Sequence, residues 1–194
     1  MKRGASALTL TQPALSRWQK TRGLLAAAAV AWGLTTLVDV GWPTLEVSFA
    51  TTFLHYDTYV PPPSQVLAWG ALYALFGIPL AVIACLVVGF PAWRFAEKRG
   101  LKTRAEAIKV GGVVGLIVGS AGIVLGVLAA LPTALSDSST YNEWSWGQQT
   151  VSDGLPTLLG WGYQAIRLLI TAGVGCLAGL AAWAVAGHPR VAAS

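Results

Sequence analysis

The chain has 194 residues, of which 55% are hydrophobic and 11% charged, with a net charge of +5. At a mean hydropathy of +0.61 there are too few ionic groups to coat a water-soluble globule, since soluble domains carry roughly 25% charged residues. Two cysteines and two histidines exclude a disulfide scaffold, a Cys/His zinc module and a haem held by paired histidines.

The sequence therefore predicts an all-α integral membrane protein, a four-helix bundle with its N-terminus and C-terminus both cytoplasmic. Residues 1–22 form a basic N-terminal segment. Within it Leu10, Leu15 and Trp18 alternate with Arg17 and Lys20, as in a segment lying on the inner leaflet; a disordered basic tail is the competing reading.

Residues 23–187 form the bundle, with spans at 23–42, 66–93, 110–131 and 155–187, each long enough for a bilayer core that needs about 20 apolar residues. The first span is also readable as a signal peptide cleaved after Ala29-Val30-Ala31, but apolar character continues through Trp32, Leu34 and Leu37, so it is expected to remain. Pro79 marks a kink in the second span. Residues 43–65 and 132–154 are read as outer loops and 188–194 as a cytoplasmic tail.

Lys2, Arg3, Arg17, Lys20, Arg22, Arg94, Lys98, Arg99, Lys102, Arg104, Lys109 and Arg190, twelve of the 13 basic residues, fall on one side of this threading. The outer loops hold only acids: Glu46, Asp57, Asp137, Glu143 and Asp153. Basic residues resist translocation, so their side is cytoplasmic, and the localisation expected is a bacterial inner membrane. The positive charge then faces anionic headgroups rather than nucleic acid. Gly100 stops a helix and Thr103 to Glu106 has capping-box spacing, while Ser64 and Asp153 are expected to cap the second and fourth spans.

Spans associate through small residues, since lipid offers no hydrophobic drive for helix pairing. Gly111, Gly115, Gly119, Gly122 and Gly126 make a stripe on the third span, with Gly175 and Gly179 on the fourth. The stripe is expected to pack within the bundle, the alternative being a dimer face. Trp18, Trp42, Trp93 and Trp161 are expected at headgroup level. Trp32, Trp69 and Trp183 lie deeper and are read as filler, with a flat ligand stacked on them as the sharper alternative.

No nucleophile elbow, zinc helix, Walker loop or CxxC pair is present, so no catalytic, cofactor-binding or metal residues are expected. Cys85 and Cys176 are assigned no chemistry, His55-Tyr56-Asp57 is a solvated loop and His188 belongs to the tail. Pro62-Pro63 followed by Trp69, Tyr73 and Gly77 resembles the corresponding helix of the tryptophan-rich translocator-protein family, which implies porphyrin or sterol binding. That likeness covers one span, its proline-to-tryptophan interval differs, and the family has one span more, so membership is not adopted.

Asp39 and Arg167 are the only ionisable residues inside the proposed spans, and intramembrane charges mark a partner or a function. Both fall near the outer boundary. Either each snorkels to the headgroups on its own or they pair and lock the first span to the fourth. The function expected is that of a non-catalytic accessory or assembly partner of other membrane proteins, or of itself. The alternative is an oligomeric small-solute or ion permease or channel, with Thr35, Thr36, Ser120, Gln164 and Thr171 as its sparse polar lining. A membrane enzyme is the third class and lacks a recognisable acid, base or nucleophile set.

Overall fold

The computed structural model describes residues 16–53, 61–99, 103–135, 141–145 and 148–186. Six α-helices and three short strands follow in the order α1 (Arg17–Thr36), α2 (Trp42–Phe53), α3 (Pro63–Ala84), α4 (Phe90–Lys98), α5 (Arg104–Ala134), β1 (Glu143–Ser145), β2 (Gln148–Ser152), β3 (Leu155–Pro156) and α6 (Leu158–Val185). Wide π-helical turns at Leu37–Gly41 and Cys85–Gly89 join α1 to α2 and α3 to α4 without a break. The result is four helices long and apolar enough to cross a membrane: Arg17–Phe49, Pro63–Lys98, Arg104–Ala134 and Leu158–Val185, called spans one to four below.

The two π turns share a sequence. Leu-Val-Asp-Val-Gly-Trp-Pro ends at Pro43 and Cys-Leu-Val-Val-Gly-Phe-Pro at Pro91. A proline inside a helix has no N–H to donate, and its ring collides with the carbonyl four residues back. Widening the preceding turn relieves that collision, and it places Pro43 and Pro91 in the first turn of a fresh α-helical segment, where an N–H is not needed. At the second site the Phe90 N–H reaches back five residues to the Cys85 carbonyl. Span one therefore continues to Phe53, where the sequence predicts a loop from residue 43. Thr44, Ser48 and Thr51 donate their hydroxyls to the carbonyls of Val40, Thr44 and Val47, so their polar groups are satisfied within the helix. Helix α3 continues through Pro79 without interruption.

Caps set the other helix starts. Ser16 and Gln19 form a capping box at α1, and Thr103 and Glu106 form the one expected at α5. Two expected caps are corrected. Span two begins at Pro63 with Pro62 as its cap residue, because a proline at the first helical position already has its φ fixed, and Ser64 lies inside the helix. Span four is capped by Thr157, whose hydroxyl accepts the Gly160 N–H at 3.1 Å, and Asp153 sits in a turn upstream.

That turn belongs to a sheet that the sequence reading missed in its outer loop. Strands β1, β2 and β3 are antiparallel in that order, with Ser152 paired to Leu155 across the two-residue turn Asp153-Gly154. Both turn residues have positive φ, 50° and 82°, the left-handed conformation that a two-residue hairpin needs and that Asp-Gly supplies.

The spans pack through small residues. Ala27, Ala178 and Ala182 are buried at the crossing of α1 and α6, with Val30, Ala31, Cys85 and Trp93 packed around them. Leu75, Leu80, Val87, Leu125 and Leu169 are exposed, as apolar side chains facing lipid would be. Span three packs on span four, span four on span one, and span one on span two. Span two comes against α5 chiefly through its π turn and α4, so the ring of helices closes at the end that carries α4 and the start of α1. This is the termini end; the opposite end, with α2 and the strands, is the sheet end.

Candidate functional site

Because span two leans on span one and meets span three at the termini end, a lateral cleft of about 950 Å³ lies between them. Its floor is small: Ala27, Ala31, Gly111, Gly115, Ala178 and Ala182. Its walls are aromatic, with Trp32, Tyr73, Phe76, Trp93 and Trp183. Trp32 is held by a hydrogen bond of 3.4 Å from its Nε1 to the Tyr73 carbonyl, and it lies over Gly77, where a side chain would displace it. Trp32 and Trp183, two of the three deeper tryptophans, thus share this cleft with Trp93, while Trp69 is outside its lining.

Polar groups sit at the two ends of the cleft. Glu97, Thr103 and Glu106 line the termini end, and Thr35, Thr36 and Thr171 the sheet end. Of the five polar residues proposed for a permeation path, Ser120 and Gln164 are not part of this lining. An ion pair lies at each end. Lys20 Nζ stands 2.7 Å from Glu97 Oε2, tying α1 to α4, with both side chains partly buried. Arg167 Nη2 stands 3.0 Å from Asp39 Oδ1, tying span four to the π turn of span one. The Asp39 side chain is 21% exposed and that of Arg167 60%.

The glycine stripe divides. A methyl group on Gly111 would overlap the Gly175 carbonyl, and one on Gly115 the Thr171 carbonyl; Gly175 and Gly179 are equally closed from the other side. Gly119 faces Leu168 and Thr171. Gly122 and Gly126 have nothing within 4 Å of the position a Cβ would take. Span three therefore uses its first three stripe glycines against span four and leaves the last two open.

At the sheet end, α2 and the strands form one platform. Ser145 Oγ donates to Glu46 Oε1 at 3.0 Å, linking β1 to α2. Thr150, the buried polar residue of β2, donates its hydroxyl to the Glu143 carbonyl and accepts the Thr157 N–H at 3.0 Å through its own carbonyl. Trp42, Leu45, Phe49, Tyr141 and Trp144 are exposed on this platform.

Among the described residues no three of His, Cys, Asp and Glu gather as a metal site would require. His55-Tyr56-Asp57 and His188 lie outside the described residues, as do Leu10 and Leu15. Cys85 and Cys176 are partly buried in spans two and four. The sequence reading missed the cleft, which depends on the tilt between spans, and the platform, for which Asp153-Gly154 was the available signal. No protein-family model matches the chain, and neither a curated protein nor a solved structure matches it.

Proposed function

We propose that the chain is a multi-pass protein of a bacterial inner membrane, with both termini cytoplasmic, that acts without catalysis as an accessory or assembly partner of other membrane proteins. The threading is supported by Arg17, Lys20, Arg22, Arg94, Lys98, Arg99, Arg104 and Lys109, which all belong to the termini end, where they would meet anionic headgroups.

The observation that carries the assembly role is the platform. A segment needed only to connect spans has no reason to fold into a sheet, to bond that sheet to α2 through Ser145 and Glu46, and to expose Trp42, Phe49, Tyr141 and Trp144. Aromatic residues held on a rigid outer surface have the composition of protein interfaces. The open glycines Gly122 and Gly126 add a place where a second helix can come close within the bilayer.

Purification of tagged protein in mild detergent tests the role. Another membrane protein, or a second copy, should co-elute and be lost in the Trp42→Ala, Trp144→Ala double variant. A strictly monomeric particle that carries no protein with it would end this reading. The competing channel reading rests on Thr35, Thr36 and Thr171 in the cleft, and solute flux in proteoliposomes decides it.

A further inference from the structure

We propose that the lateral cleft binds one zwitterionic phospholipid from the leaflet at the sheet end, with its phosphate on Arg167, its amine toward Asp39 and an acyl chain lying along the cleft. The inference rests on the chain spanning a bilayer and is independent of the assembly role.

The helical register puts the ion pair and the cleft in line. Arg167 lies one turn before Thr171 and two before Val174, and Asp39 one turn beyond Thr35; Thr171, Val174 and Thr35 all line the cleft. At 1.5 Å per residue the pair therefore stands about 6 Å beyond the lining, at its sheet end. The same rise separates Asp39 from Lys20, at the other end of α1, by about 28 Å, close to a hydrocarbon thickness of about 30 Å. With Lys20 at one headgroup layer, Asp39 and Arg167 lie at the other, where phosphates are found.

The chemistry there fits both halves of a headgroup. A guanidinium has five N–H donors, and the bond to Asp39 engages one nitrogen of a side chain that is 60% exposed. Phosphate is the ligand that matches such a fork. The Asp39 carboxylate beside it makes the pair neutral overall, so a lipid with net negative charge gains from Arg167 and loses to Asp39. A headgroup with a phosphate and an ammonium matches both.

Below the pair the cleft is apolar and aromatic, and it closes where the Cys85–Gly89 turn and α4 meet α5. A flexible acyl chain can follow that taper. A transmembrane helix, rigid and about 10 Å across with its side chains, needs a groove of even width along its length.

The test uses the full chain in nanodiscs of equimolar phosphatidylethanolamine and phosphatidylglycerol with matched acyl chains, followed by native mass spectrometry of the lipid retained in mild detergent. One phosphatidylethanolamine should be retained, enriched roughly fivefold over the bulk ratio, the scale of a charge-assisted contact reduced by exposure. Asp39→Asn, which removes the negative charge and keeps the shape, should turn the preference toward phosphatidylglycerol. Ala81→Phe, which fills the cleft and leaves the pair intact, should abolish retention, as should Arg167→Ala where that variant folds. Retention of no lipid, a phosphatidylglycerol preference in the unaltered protein, undiminished retention in Ala81→Phe, or a cross-linked protein helix in the cleft would each overturn the proposal.

Discussion

Arg167 and Asp39 are 128 residues apart in sequence and 3.0 Å apart in space, and they join the fourth span to the first at the sheet end. Asp39→Ala and Arg167→Ala should each lower the amount of folded protein. The double substitution should be less harmful than the sum of the two, by about 0.5–1 kcal/mol for a pair with one exposed partner. Thermal unfolding in detergent measures the cycle, and strict additivity would mean that the two charges act separately.

The divided glycine stripe makes a second, sharper contrast. Gly115→Ala forces a methyl group onto the Thr171 carbonyl and should destabilise by about 1–3 kcal/mol, the cost of overpacking. Gly126→Ala meets open space and should leave the monomer's stability unchanged or slightly raised. Equal effects at the two positions would show that span four does not lie against span three as described.

Thr157 holds the junction between the sheet and span four with two bonds, accepting from the Gly160 N–H and donating to the Gln149 carbonyl at 2.9 Å. Thr157→Val keeps the shape and removes both, and should cost about 1 kcal/mol, the usual value of a helix cap. Asp153→Asn should be neutral, because asparagine also tolerates the left-handed backbone at that position. A loss of stability at Asp153 alone would return the cap to that residue.

The proposed orientation is open to chemical labelling. A cysteine introduced at Thr58 or Ser138 should react with an impermeant thiol reagent from outside, and one at Lys102 should not. A reporter fused after Ser194 should read cytoplasm. The reverse pattern would invert the topology, and a periplasmic reading at Ser194 alone would remove one span.

How much of this was legible in the sequence depended on the range of the interactions involved. The four apolar helices follow from length and composition, and the Thr103–Glu106 box from a spacing of three residues, so both could be read locally. Asp39 and Arg167 stood out because charges are rare in such surroundings, which named the residues but left their geometry open. Pro43 misled, since a proline normally ends a helix and the wide turn that accommodates it is not marked by any single residue. The strands were missed because Glu143–Ser145 and Leu155–Pro156 are too short to show alternation, and Asp153 was read as a cap when its neighbour Gly154 made it half of a turn. The cleft has no local signature, because it is a gap set by how span two leans.

The π turn at Leu37–Gly41 has a mechanical consequence. It acts as a one-residue gear between two anchored ends: Lys20 fixes the rotation of α1 against Glu97, while Glu46 on α2 must face Ser145 of the sheet. Each residue turns a helix by about 100°, so deleting Val40 to restore ordinary winding would swing Glu46 around the axis and away from the strand. The extra residue in that turn is thus a phase correction, and it lets one continuous rod satisfy two partners whose angular positions an ideal helix could not match.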